Sequence, residues 1–155
     1  VNEYLDGEYF RSAEMAVEKL ESGDRLHLSE KAQLMALAVN AYIMADEYES
    51  AERYASSALE MVASRTEPIS ECFVYNACSL LAFRQNRMGE TYKYLTKAAE
   101  RAQLAPPELR LLTMATIGIL TRESSPEKAR KYLEAAKLLS VSLNFDEIST
   151  ELENI

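Results

Sequence analysis

Residues 32–61 read AQLMALAVNAYIMADEYESAERYASSALEM. Two helical patterns meet in this stretch at a tight polar corner, Asp46-Glu47-Tyr48-Glu49. Each half carries a broad apolar stripe at the helical period, and Ala51 and Ala58 recur seven apart in the second half. Residues seven apart share one helix face, and side chains this small let a second helix come close. The stretch encodes a helix hairpin, and the rest of the chain varies it.

Upstream, Val1–Leu5 reads as the tail of a helix and Asp6-Gly7 as a turn. Glu8–Glu21 follows as a helix with Phe10, Ala13, Ala16, Val17 and Leu20 on one side. Gly23 stands where a C-terminal cap belongs, and Ser29 can cap the helix that runs to about Ala45. Downstream, Tyr48–Ala63 is the partner helix, and Pro68 opens the next, which runs to about Gln85. The corner Asn86-Arg87-Met88-Gly89 leads to a return helix from Glu90 to Gln103. Pro106-Pro107 breaks the chain before a helix from Glu108 to about Arg122. Ser124-Ser125-Pro126-Glu127 is a start signal, with Ser125 as cap, for a helix to about Ser140. A short helix closes the sequence over about 144–154.

The pattern recurs. Ser12, Ala51, Thr91 and Ala129 align with gaps of 39, 40 and 38 residues. Ala58, Ala98 and Ala136 follow seven residues later, and Ala16, Ala55, Leu95 and Leu133 lie between. Ser12 is the poorer match, as is Lys19 at the second position. Such recurrence marks a repeat architecture.

Composition agrees with a single helical domain. The chain has 155 residues, of which 48% are hydrophobic, with four Gly and four Pro. Its formal charge of -8 argues against a broad nucleic-acid or anionic-membrane surface. No apolar run is long enough to span a bilayer. Cys72 and Cys78 point apart on one helix, cannot pair within it, and read as small core residues in a reduced, cytoplasmic setting. The first residue is not Met, which suggests a piece of a longer protein whose first repeat lacks its opening helix.

These residues resemble the tetratricopeptide repeat family. The best unit carries Tyr42, Tyr48, Ala51, Ala58 and Leu59, the third Tyr75, Leu95 and Ala98, and the fourth Ala129, Leu133 and Ala136. The family's mid-helix Gly is replaced by Val39, Ser79 and Ile117, and the period exceeds its usual length. The resemblance implies an all-α, right-handed superhelix, an α-solenoid of antiparallel hairpins. It would be a single domain with a partial unit over 1–25, units over about 28–65, 68–104 and 107–140, and a C-terminal helix. Units longer than the family's norm are similar to those in the sensor regions of large bacterial transcription activators.

Signs of chemistry are few. His27 is the one histidine, so neither a zinc nor a di-iron ligand set can be assembled, and no phosphate loop or nucleophile elbow is present. No enzyme activity, metal or cofactor is expected. In the resembled family the first helix of each unit lines a concave face. Carried over, that gives Gln33, Leu37, Asn40 and Met44 from the second unit. The third supplies Phe73, Asn76, Ala77, Leu80, Phe83 and Arg84, and the fourth Leu111, Met114, Gly118 and Arg122. The expected partner-binding row is apolar in the middle, at Phe73, Leu80, Phe83 and Met114. Asn40, Asn76, Arg84 and Arg122 flank it as polar anchors, with Met44 alongside. The competing reading is core, because Cys72–Phe83 is apolar nearly all round.

Three functions follow in order. The first is a non-enzymatic protein- or peptide-binding module, whose partner is another protein, another domain of its parent or a second copy. The second is the sensor or oligomerisation segment of a bacterial transcription regulator. The third is a small-molecule-binding helical domain.

Overall fold

A computed structural model of the chain describes residues 2–22, 26–63, 67–144 and 146–154, the side chains of 2–10 and 146–149 apart. Among these residues the protein is all-helical, with eight helices: α1 Asn2–Glu21, α2 Leu28–Met44, α3 Tyr48–Ala63, α4 Pro68–Arg84, α5 Met88–Ala102, α6 Pro107–Thr121, α7 Pro126–Ser142 and α8 Asp146–Glu153. None is long and apolar enough to cross a membrane.

The quoted stretch is the α2–α3 hairpin, and its corner has a specific geometry. Asp46 takes φ 59°, the left-handed conformation, and Asn86 takes the same value in the α4–α5 corner. Around the first, Asp46 N donates to the Ile43 carbonyl at 3.1 Å and Glu47 N to the Tyr42 carbonyl at 2.8 Å. Forty residues on, Asn86 N donates to Phe83 at 3.0 Å and Arg87 N to Ala82 at 2.8 Å. This is the helix-ending motif usually built on Gly, with Asp and Asn in its place. Both hairpins therefore turn on the same corner.

The recurring small residues are the seams. Ala51, Ala58, Thr91, Ala98, Ala129 and Ala136 are all buried, and Ala55 and Leu95 between them likewise. The weak matches in α1 fail, since Ser12 and Lys19 are exposed, while Ala16, the expected residue between them, is buried, as is Ala13. The first helices of the hairpins touch in series, α2 on α4 and α4 on α6. Helix α4 also packs on α3 and α5, so it touches four other helices.

Four local expectations are corrected. Helix α1 runs unbroken through Asp6-Gly7, so there is no turn and no separate first tail. A single Gly inside a helix costs only about 1 kcal/mol, which packing against α2 can offset. Helix α2 begins one residue before Ser29, with His27 at the cap position and no side-chain capping bond. Ser125 precedes α7 as expected, and Pro126 is its first residue, but the Ser125 hydroxyl makes no cap. It lies 3.4 Å from the Tyr92 hydroxyl, which also binds Ser124. Helix α5 starts at Met88, inside the expected corner. The expected cap Gly23 lies outside the described residues.

Candidate functional site

The candidate row is a face shared by α2, α4 and α6. Two cavities open on it and have Asn40 and Phe73 in common, so they form one groove. The larger, about 480 Å3, lies towards α1 and is bounded by Lys19, Leu26, Glu30, Gln33, Leu34 and Leu37. The smaller, about 260 Å3, is bounded by Asn76, Leu80, Leu112, Thr116, Ile119 and Leu120. Leu37, Leu112 and Ile119 are exposed at 53%, 45% and 44%, an apolar row of three large side chains on two of the first helices.

Asn40, Phe73, Asn76 and Leu80 are therefore brought together. Met44 and Arg84 are exposed farther along the same helices, and Arg84 Nη2 lies 3.9 Å from Met44 Sδ. Arg122 is exposed at the end of α6. Neither arginine forms an ion pair with a described residue. Gln33 is engaged elsewhere: its Nε2 donates to Ser70 Oγ at 3.0 Å, and Ser70 donates to the Ser29 carbonyl at 3.0 Å. That chain ties α2 to α4 at one end of the groove.

On α6 the expected face is off by one residue. Leu111 and Gly118 are buried, and Met114 is half-buried with Leu133, Leu139 and Leu143 beside Leu111, Ala136 and Leu152. The groove takes Leu112, Thr116 and Ile119 instead. The cause is a shorter first helix: α6 has 15 residues where α4 has 17, and the connection after it is one residue longer, a net loss of one. Pro68 and Pro107 open α4 and α6 39 residues apart, whereas Thr91 and Ala129 of the second helices are 38 apart. Carrying the second-helix spacing back to α6 turns it by one residue, about 100°. The two prolines carry the correct signal. Gly118 is explained by the same contact, since a Cβ there would stand 2.5 Å from Leu133 Cγ.

Phe83 and Asn76 also depart from the expected roles. Phe83 is half-buried against Leu95, Ile117 and Leu120, so part of its ring belongs to the core. Asn76 is 7% exposed and is not a rim anchor. Its Nδ2 donates to Thr113 Oγ1 at 3.0 Å, with Cys72 Sγ at 3.9 Å. Thr113 gives its own hydrogen to the Leu109 carbonyl at 2.9 Å, so its oxygen can only accept from Asn76. The orientation of the Asn76 amide is thereby set, and its Oδ1 is left buried without a hydrogen-bond partner. An acceptor in that condition costs about 1–3 kcal/mol. Half-buried Asn40 makes no side-chain hydrogen bond with a described residue.

Cys72 sits under this layer, and Cys78 lies towards α3 and α5, near Ala55 and Tyr94. Burial pushes the Cys72 thiol up, with the Thr113 hydrogen bond opposing it, and pushes Cys78 up to about 12. Both are free and buried. No family model matches the chain, and no curated protein matches it.

Proposed function

We propose that this chain is a peptide-binding helical-repeat module of the tetratricopeptide kind. In this reading the hairpins α2–α3, α4–α5 and α6–α7 stack as a right-handed solenoid, and the face of α2, α4 and α6 is its concave side. The observation that carries the reading is the groove itself. Three exposed apolar side chains, Leu37, Leu112 and Ile119, stand along it with two amides, Asn40 and Asn76, whose hydrogen-bonding capacity is not used up. Large apolar side chains beside unsatisfied amides suit a segment of polypeptide, which presents apolar side chains and N–H groups together. The partner is a protein or peptide, and the module needs no catalytic group or cofactor to hold it.

A random-peptide display selection on the chain tests this, repeated on Leu112→Arg and Ile119→Arg. Both positions are exposed, so each variant should fold as the parent does. The reading requires enriched peptides that bind the parent saturably and lose affinity for both variants. Selection of no peptide, or of peptides indifferent to the variants, would overturn it.

A further inference from the structure

We propose that the segment held in this groove is extended and that Asn40 pairs with its main chain, Oδ1 accepting the N–H and Nδ2 donating to the C=O of one peptide residue. The inference deepens the peptide-binding reading and rests on it. Asn40 and Phe73 are common to both cavities, so a segment that fills both has to cross them. The walls on either side are largely apolar, with Leu34 and Leu37 towards α1 and Leu80, Leu112 and Ile119 towards α6. Asn40 is half-buried and makes no side-chain hydrogen bond with a described residue, and neither of its amide atoms is shut off from water. The other polar groups of the walls offer less. Gln33 Nε2 already donates to Ser70 Oγ, and Thr116 has given its hydrogen to the Leu112 carbonyl at 2.8 Å. Asn76 Oδ1 has less than 1 Å2 of open surface, too little to meet a ligand. Lys19 and Glu30 are exposed charges on the larger cavity alone.

Solvent meets the Asn40 amide in the free chain. A ligand that covers it must supply both an acceptor and a donor, or leave the amide unpaired at a loss of about tenfold in affinity. An extended residue turns its N–H and C=O to one side of the chain, as strands use them in an antiparallel ladder. A carboxamide presents an acceptor and a donor side by side and meets that pair in two bonds. Side chains two apart on an extended chain share a face, so apolar residues at that spacing can enter the walls on both sides of the crossing. An α-helix has spent its N–H groups on its own carbonyls and reaches Asn40 only with a polar side chain. A wholly apolar ligand leaves the amide unpaired. The occupant is therefore an extended segment of another protein, with apolar residues two apart and its main chain read by α2.

The probe is Ac-Ser-Leu-Ser-Leu-Ser-Leu-Ser-NH2, titrated into the isotopically labelled full chain and followed by NMR. The Asn40 side-chain signals are assigned by their loss in Asn40→Leu. Binding should be saturable, with those signals among the ones that shift. In a series of analogues, one N–H at a time is replaced by an ester oxygen. At least one should bind about tenfold more weakly than the parent peptide. On Asn40→Leu, checked for folding by its thermal melt, that analogue and the parent peptide should bind alike. Should the variant not fold, the ester series and the Asn40 signals of the parent chain decide. A stapled helix with leucines four apart should bind more weakly than the extended peptide. An ester series without effect, a helix that binds as tightly, or saturation by neither probe would overturn the extended mode. So would a dimer in sedimentation that the peptide does not displace, since a second copy would then hold the groove. Groove-dependent binding of the helix, or of display peptides insensitive to ester replacement, would keep the peptide-binding reading while ending this one. Saturation by neither probe, with no peptide selected, would end both.

Discussion

Glu71 on α4 and Arg101 on α5 form an ion pair, Oε2 to Nε 2.5 Å, in which the carboxylate is nearly buried and the guanidinium half-exposed. The approach is close, yet Oε2 accepts no well-aligned hydrogen bond, so Coulomb attraction holds the pair. Removing the cation leaves a buried charge uncompensated, which is the costly way to break such a pair. We expect Arg101→Ala to lower stability by about 1–3 kcal/mol, measured by urea denaturation. Glu71→Gln in the same background should recover part of the loss. A double variant no more stable than Arg101→Ala would refute this account.

Helix α6 approaches α7 through Gly118. A methyl group there would meet Leu133 Cγ at 2.5 Å, Leu133 Cδ2 at 2.6 Å and the Ala129 carbonyl at 3.3 Å. Because Cγ is the branch point of Leu133, rotating its end does not clear the space. Gly118→Ala should cost about 1–3 kcal/mol by overpacking, despite alanine's better helix propensity. Leu133→Ala in that background should return part of it, and differential scanning calorimetry of the three variants checks the order.

At Phe83 the core holds part of the ring, and the residue does not line the groove. Its contacts with Leu95, Ile117 and Leu120 predict a real loss on truncation, and its partial exposure a smaller one than for a fully enclosed ring. We expect Phe83→Ala to cost about 1–3 kcal/mol, short of the 3–5 kcal/mol of an enclosed Phe. A thermal melt showing no change would mean that the ring contributes nothing to the core.

Cys78 makes stability pH-dependent in the alkaline range. Its thiol titrates near 12 in the fold against 9.0 for the ordinary value. Above 9 the unfolded chain loses that proton while the native chain keeps it, so stability falls as pH rises. The contribution is complete below about 9 and is lost between 9 and about 12. Melts at pH 8 and pH 10.5 should differ less for Cys78→Ala than for the parent. At pH 8 both thiols should react with a thiol reagent only as fast as the fold opens.

Much of the fold was legible because its information is local. Tyr48–Ala63 is marked at both ends by its own residues, and Ala51, Ala58, Ala98 and Ala136 carry the seams at helical spacing. The left-handed residues Asp46 and Asn86 were harder to see because a Gly is the usual sign of that corner. The groove was legible on α2 and α4, where Asn40, Phe73 and Leu80 stand as their pattern implies. It failed on α6, because the unit is one residue shorter between Pro107 and Ala129 than between Pro68 and Thr91, which shifts the helix register without altering its composition. Asn76 could not be read as buried, since the partner that holds it, Thr113, lies 37 residues away in the next hairpin.

The central position of α4 has a consequence for how the molecule breathes. In a row of repeats that touch only their neighbours, any joint can open by itself. Here α4 touches α2, α3, α5 and α6, so freeing it uncovers both halves of the chain at once. Its middle turns, Val74 to Leu81, should hold the slowest-exchanging backbone amides, released only by global opening. Those of α1 and α8, each packed mainly on one neighbour, should exchange through partial openings that leave the groove intact.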